Sequence, residues 1–174
     1  MATIRAYRKS DAGAVGRLIA RTYGEFNLGF AAPDQRADLL GPFRFAESAD
    51  PAHRADIAAV IAAPLVLVAE EDGAIVGVLR GGRVDERGRV VLQSLFVDGG
   101  HQCRGIGRGL VDRFERSCRA RGHRRVKLAA TEYAVPFYEA LGYRRSTGLR
   151  VGGSFQGRGL PYQPMKKALA GAVR

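Results

Sequence analysis

The sequence changes its hydrophobic periodicity sharply near residue 98. Residues 90–97 form a mostly apolar run of strand length, and the Asp-Gly-Gly segment at 98–100 interrupts it. From Ile106 to Cys118 an apolar residue then recurs at every fourth position, and the pattern stops at Gly122. This spacing predicts a helix with one apolar face that ends at a glycine. Because a strand leads through a loop into an amphipathic helix, this part of the chain is expected to fold as a helix packed on a sheet.

The other apolar runs extend this unit into a larger mixed sheet. Residues 65–69 and 75–78 flank an Asp-Gly turn pair and predict a hairpin. Between residues 23 and 64 three prolines interrupt the pattern, and only a helix at about 51–62 is predicted there. Together the runs predict an α/β fold whose mixed, mostly antiparallel central sheet is flanked by helices. Further strands are expected at 3–7, 126–130, 143–151 and 161–167, a polar turn at 81–88, and further helices after Asp11 and around Pro136.

Length and composition fit a single soluble domain. The 174 residues correspond to about one domain, and 46% hydrophobic with 26% charged residues is ordinary for a globular protein. No apolar run approaches the ~20 residues of a membrane span, and the N-terminus lacks the apolar core of a secretory signal. Two cysteines, Cys103 and Cys118, are too few for a disulfide framework or a zinc site. We therefore expect a cytoplasmic protein that contacts no membrane and binds no metal.

The positive charge of the chain is concentrated in its second part. The formal net charge is +11, yet residues 1–100 carry 12 basic and 13 acidic side chains, whereas residues 101–174 carry 16 and 4. Such a surplus predicts a polyanionic partner, either nucleic acid or a phosphorylated cofactor. An arginine-rich composition can also reflect coding bias, so the charge alone does not choose between these interpretations.

The glycine-containing loop before the amphipathic helix is suited to a phosphate group. The first turn of a helix has free N–H groups and a partial positive charge, and glycines let a phosphate approach the backbone. Arg104 and Arg108 can add charge-assisted hydrogen bonds. The loop is not a P-loop, because residues 107–109 read Gly-Arg-Gly where Gly-Lys-Ser/Thr is needed. It is not a dinucleotide fingerprint either, because Leu110 occupies the position of the third glycine.

Four segments together resemble one enzyme family. The loop, Gln102-x-x-Gly105-x-Gly107, resembles the Q/R-x-x-G-x-G/A signature of the GNAT superfamily, the acetyl-CoA-dependent N-acetyltransferases. The strand at 90–97 is similar to the family's central strand, and residues 134–143 (AVPFYEALGY) resemble its A-x-x-F-Y-x-x-L-G-F segment. Residues 161–169 look like its final strand. The resemblance covers residues 3–169 as a single domain and implies the GNAT fold.

The resemblance implies that acetyl-CoA lies between the central strand and the strand beside it. The main chain of residues 95–97 would bind the pantetheine arm, and residues 102–108 would bind the diphosphate. Tyr138 matches the family's usual general acid, and the backbone N–H of Val97 is placed to stabilise the oxyanion. Thr131 departs from the family, in which many members carry Asn there. The cofactor-binding residues implied are Leu95, Phe96, Val97, Gln102, Cys103, Arg104, Gly105, Ile106, Gly107, Arg108, Thr131, Phe137 and Tyr138.

The acceptor side of the site is less defined. In the family the amine attacks the thioester directly, and many members carry a glutamate on the central strand that acts as a base through water. Here Gln93 and Ser94 stand in that segment, and neither is a base at neutral pH. We expect an amine-bearing small molecule or a peptide as the acceptor. The residues that could line its pocket are Tyr23, Glu25, Phe30, Gln93 and Ser94.

Two other functions stay open at this point. A protein of this fold could bind acyl-CoA as a sensor without catalysis, since Thr131 and the missing carboxylate depart from the family. A nucleic-acid-binding module that uses the basic segment 119–127 is less favoured, because the strand that follows lacks the aromatic platform of single-strand binders. Dimers are common among similar proteins, which makes a homodimer one expectation for this chain.

Overall fold

An eight-stranded sheet forms the centre of the protein, which the computed structural model describes for residues 1–170. Along the chain the strands are β1 (Thr3–Ala6), β2 (Leu65–Glu71), β3 (Ala74–Val84), β4 (Val90–Val97), β5 (Arg125–Ala130), β6 (Arg144–Arg145), β7 (Arg150–Gly153) and β8 (Arg158–Ala168). The helices are α1 (Ala12–Phe26), α2 (Pro33–Leu40), α3 (Pro51–Ile61), α4 (Ile106–Ala120) and α5 (Val135–Ala140). In space the order is β1-β2-β3-β4-β5-β8-β6, with β7 paired to β8. All pairs are antiparallel except β4 with β5, which confirms the predicted fold class.

The sheet lies between two hydrophobic cores, one on each face, so its central strands are buried on both sides. On one face α4 and α5 pack on the strands around Leu110 and Phe114, both 0% exposed. On the other face α1 and α3 pack around Leu18, Ile61 and Val78. The four-residue spacing of α4 therefore describes a helix on a sheet, as the sequence predicts.

Three local features differ from the sequence-based expectations. Strand β3 continues to Val84 through the segment predicted as a polar turn, since one-residue bulges around Gly81 and Gly82 let the strand bend without ending. The single strand expected at 143–151 is two short strands, β6 and β7, which both pair with β8. Helix α2 is not apparent from periodicity, because Leu39 is its one buried residue.

The parallel pair at the centre of the sheet opens into a gap. Strands β4 and β5 pair at Val90–Leu92 with Val126–Leu128 and then diverge. Beyond that point β4 still pairs with β3 and β5 still pairs with β8, so neither strand bends back to close the opening. Gln93, which has no partner on β3, forms a bulge where the strands separate.

Among residues 1–170, no helix is both long and apolar enough to cross a bilayer. The same part of the chain contains no group of three or more His, Cys, Asp or Glu side chains that could hold a metal ion.

Candidate active site

Strand β4 presents backbone groups to the gap at alternate residues. The N–H of Asp98 donates to the carbonyl of Val76 on β3 (2.9 Å). Asp98 and, two residues before it, Phe96 therefore direct their backbone groups toward β3. Because N–H and C=O directions alternate along a strand, those of Leu95 and Val97 point away from β3 and into the gap. Phe96 pairs with Val78 on β3, so it can contribute its side chain to the gap but not its main chain, unlike the expectation for the whole segment 95–97.

The loop from β4 to α4 surrounds one end of the gap. Gly105 has a φ of +81° at the N-cap of α4, a conformation that glycine adopts without strain. At Gly107 an added Cβ would lie 3.1 Å from the Phe137 ring, so glycine allows α4 and α5 to pack closely at this point. The amide of Gln102 donates to the carbonyl of Val97 (3.1 Å) and fixes the start of the loop against the strand. The first turn of α4 therefore offers free N–H groups beside an open groove.

A cavity of about 570 Å³ occupies this groove between α4, α5 and the C-terminal end of α1. Three of the residues implied by the family resemblance do not line it. Arg104 pairs with Glu71 (3.0 Å), Ile106 is buried in the core, and Thr131 donates to the Asn27 side chain. The implied residues that do line it are Leu95, Phe96, Val97, Gln102, Cys103, Gly105, Gly107, Arg108, Phe137 and Tyr138.

A second cavity, of about 390 Å³, lies on the other side of the divergence of β4 and β5. Of the residues predicted for the acceptor, Tyr23, Gln93 and Ser94 line it. Phe30 is 52% exposed and lines a separate, smaller cavity, and the exposed Glu25 lines none of the three. The acceptor role of Phe30 and Glu25 therefore has no support from their positions.

The two large cavities meet at the same side chains. Leu95, Phe96 and Tyr138 line both of them, so a group bound in one cavity lies close to a group bound in the other. This is the geometry that a transfer reaction between two bound molecules requires.

Tyr138 is a buried phenol at this junction. It is 5% exposed, and its ring packs edge-on against Phe137 and Tyr143 at centroid distances of 5.1 and 5.6 Å. Among the described residues its hydroxyl has no hydrogen-bond partner, unlike that of Tyr143, which donates to Glu115 (3.0 Å). Burial raises the pKa of Tyr138 well above the usual value for tyrosine, so the phenol holds its proton at neutral pH.

Of the residues that the structure describes, one cationic side chain and no carboxylate line the second cavity. Arg80 of β3 is 7% exposed and lines the cavity, and none of the lining residues is Asp, Glu, His or Lys. Glu70 and Glu132, two further carboxylates of the chain, lie elsewhere, Glu70 in an ion pair with Arg5 (2.7 Å). Within residues 1–170, no carboxylate is therefore in place to remove a proton from an amine in this cavity.

Several residues of the site carry no signal in the sequence. The exposed Tyr133 donates to the Gln102 side chain (2.6 Å) and stacks on Phe26 at 5.5 Å, and these rings form the outer wall of the larger cavity. Asn27 lines both cavities. The residues come from the end of α1 and from the turn after β5, which only the fold brings together.

Part of the basic segment 119–127 is neutralised by neighbouring groups. Lys127 pairs with Asp85 (2.8 Å), Arg119 approaches Glu115 (3.6 Å), and Arg125 donates to the Arg87 carbonyl (3.0 Å). None of these side chains lines either of the two large cavities. Two of the five basic side chains of this segment, Arg119 and Lys127, therefore take part in local ion pairs.

Comparisons with known proteins agree with this fold. A family model described as an acetyltransferase (GNAT) domain matches residues 44–169. A GCN5-related N-acetyltransferase from Rhodopseudomonas palustris superposes with a TM-score of 0.77 at 21% identity, over 97% of this chain and 96% of that one. The paiA N-acetyltransferase from Thermoplasma acidophilum, in complex with coenzyme A, gives 0.73 at 14% identity (97% and 99%). The yncA protein from Salmonella typhimurium, with its cofactor acetyl-CoA, gives 0.61 at 22% identity (100% and 97%).

Proposed function

The chain belongs to the GNAT family of acetyltransferases, which use acetyl-CoA as donor, and we propose that it transfers the acetyl group directly to a primary amine with Tyr138 as general acid. The observation that carries the proposal is the meeting of the two cavities at Tyr138 and Leu95. The larger cavity would hold acetyl-CoA and the smaller one the amine. The bound donor supplies an activated acetyl thioester.

The larger cavity has the features that a coenzyme A molecule needs. The N–H groups of the first turn of α4 and the exposed Arg108 suit a diphosphate, which is negatively charged. The backbone N–H and C=O of Leu95 can pair with an amide of a pantetheine arm as a neighbouring strand would. Gly107 leaves room for this approach, since a larger residue would fill the groove beside Phe137.

Two groups of the protein can act on the reacting atoms. The Val97 N–H points away from β3 into the gap, so it is free of the sheet and can stabilise the oxygen that gains negative charge. Tyr138 holds a proton in a buried position and can give it to the departing thiolate. The amine nitrogen loses one proton as the amide forms, and this proton, passed directly or through water, restores the phenol. Neither group needs to move between the cavities.

The acceptor would react as a neutral amine without a carboxylate base. In the smaller cavity Arg80 is a cation and carboxylates are absent from the lining, so a bound ammonium is disfavoured relative to the free amine. The proton can leave to water before or during binding.

This environment predicts how the rate depends on pH. We expect kcat/KM to rise with pH through the pKa of the acceptor amine itself, because only the neutral amine reacts. Loss of the Tyr138 proton should lower kcat/KM only above pH ~10, since the raised pKa keeps the phenol protonated at lower pH. The measurement is the pH profile for two amines whose pKa values differ by about two units. A midpoint that stays fixed when the amine is changed would reveal an enzyme base and contradict this mechanism.

Gly107→Val tests the donor groove. The added side chain would enter the space beside Phe137 and in front of the first turn of α4, so we expect the Kd for coenzyme A to rise about tenfold or more. The melting temperature is measured alongside, to establish that the variant stays folded. Gly107→Ala is the matched control, because its methyl group requires the Phe137 ring to shift by only a few tenths of an ångström. Equal affinities of the two variants would place the coenzyme elsewhere.

Calorimetric titration with acetyl-CoA, with ATP and NAD as controls, tests the proposal as a whole. Selective binding in the micromolar range, followed by thiol release when an amine is added, is the expected result. Binding without thiol release for any amine would favour the sensor, and absence of binding would overturn the assignment of the cavity.

A further inference from the structure

Arg80 lies inside the smaller cavity without an anionic partner. Its Nε donates to the Ile61 carbonyl (3.0 Å), and its Nη1 has a long contact of 3.5 Å with Ser94 Oγ. These contacts hold the side chain at the wall but use neutral acceptors. Among residues 1–170 no carboxylate forms an ion pair with it.

This arrangement is costly for the folded protein and differs from that of the other enclosed charges. Glu115, which is 3% exposed, pairs with Lys167 at 2.8 Å, and Asp11 pairs with Arg5 at 2.8 Å. At Arg80 burial, together with the nearby Arg83, lowers the pKa to about 10. A buried cation is normally paired, so a ligand is the natural source of the missing anion.

The wall around Arg80 offers further polar groups. Ser94 stands opposite Arg80 in the β3–β4 register, and the Oε1 atom of Gln93 is buried without a hydrogen-bond partner. On the far side Tyr23 and Ser154 share a hydrogen bond of 2.6 Å between their hydroxyl groups. The cavity therefore combines one positive charge with uncharged polar groups, which suits a polar anion and repels a second cation.

We propose that the acceptor is a small primary amine that also carries an oxyanion group, a carboxylate or a phosphate, and that this group binds the Arg80 guanidinium. This inference rests on the proposed function, since it names the acceptor class for the same site. Arginine forms paired hydrogen bonds with both groups, so the guanidinium orients the acceptor as well as attracting it. Polyamines and other multiply charged cations are poor acceptors for this cavity, since none of its lining residues is acidic.

Pairs of amines that differ only in the anionic group provide the test. Glycine is compared with glycinamide, glutamate with its diamide, and phosphoethanolamine with ethanolamine, by thiol release from acetyl-CoA at a pH set for each amine's own pKa. We expect kcat/KM for the anionic member of at least one pair to exceed that of its neutral partner by about tenfold or more. The pair that shows the effect distinguishes a carboxylate from a phosphate.

Variants of Arg80 test whether this side chain causes the preference for anionic amines. Arg80→Gln should abolish the preference and leave the Kd for coenzyme A unchanged, and Arg80→Lys should keep part of it. Arg116→Gln is the matched control, because Arg116 is an exposed arginine of α4 that lines neither large cavity. Neutral amines used as well as anionic ones, or a preference that survives in Arg80→Gln, would overturn the inference.

A binding measurement separates this inference from the proposed function. If no amine is acetylated, the same probes are titrated into the protein saturated with coenzyme A and followed by calorimetry. Anionic probes that bind about tenfold more weakly to Arg80→Gln than to the wild type would support the anion site, while catalysis would be the part that fails. Equal binding to both proteins would overturn the anion site, whatever the activity.

Discussion

Replacing Tyr138 with phenylalanine is expected to lower kcat by about 10²-fold or more, with little change in the KM for acetyl-CoA. The variant removes one oxygen atom and keeps the ring packed against Phe137 and Tyr143. Since the hydroxyl has no hydrogen-bond partner among the described residues, the loss costs the folded protein little. The leaving thiolate then departs without a proton from the enzyme, so the penalty should shrink as the pH rises and thiolate becomes the stable product. Thiol release under saturating acetyl-CoA measures the effect.

Tyr7→Phe is the control for this variant. Tyr7 is a half-buried tyrosine that lines neither large cavity, and its loss of a hydroxyl should leave kcat unchanged. An unchanged kcat in Tyr138→Phe would remove the phenol from the mechanism and leave the thiolate to depart unaided.

Replacing Lys167 with methionine is expected to lower the free energy of unfolding by about 2–3 kcal/mol, since it leaves a buried carboxylate without its closest cation. Lys167 Nζ lies 2.8 and 2.9 Å from the two oxygens of Glu115, whereas Arg119 is 3.6 Å away. Methionine preserves most of the packing against Tyr143, so the change reports on the charge. Chemical denaturation at pH 7 measures the loss.

The double variant Glu115→Gln with Lys167→Met is the matched control. The amide keeps an acceptor for the Tyr143 hydroxyl and removes the unpaired charge, so most of the stability should return. A double variant as unstable as Lys167→Met would show that packing, and not charge, stabilises this cluster.

The sequence predicts the parts of the site that are built from continuous segments. The loop from Gln102 to Gly107 and the start of α4 follow from glycine placement and from the four-residue spacing that comes after it. The segment around Tyr138 follows from its motif and from Pro136 in the first turn of α5. Within these segments neighbours in sequence are neighbours in space, so local propensity is sufficient to locate them.

Tertiary structure decides the elements whose local signals are weak. Helix α2 begins at Pro33 but buries only Leu39, so periodicity gives no sign of it. Strand β3 passes through Gly81 and Gly82, two residues that favour a turn, because its pairing with β4 outweighs their local preference. The free energy that stabilises these two elements comes from burial against distant segments, and no short window of sequence contains that information.

The order of apolar runs along the sequence was sufficient to predict the mixed α/β fold. The phosphate-suited loop and the position of Tyr138 could also be predicted, because each depends on the order of residues within one segment. Only the tertiary structure decided that Leu95 and Val97 turn their backbone groups into the gap and that Arg80 lines the smaller cavity with no carboxylate partner among residues 1–170. A charge is paired or unpaired according to residues far away in the chain. For that reason the acceptor side of this protein becomes visible only when β3, β4 and the walls around them are assembled.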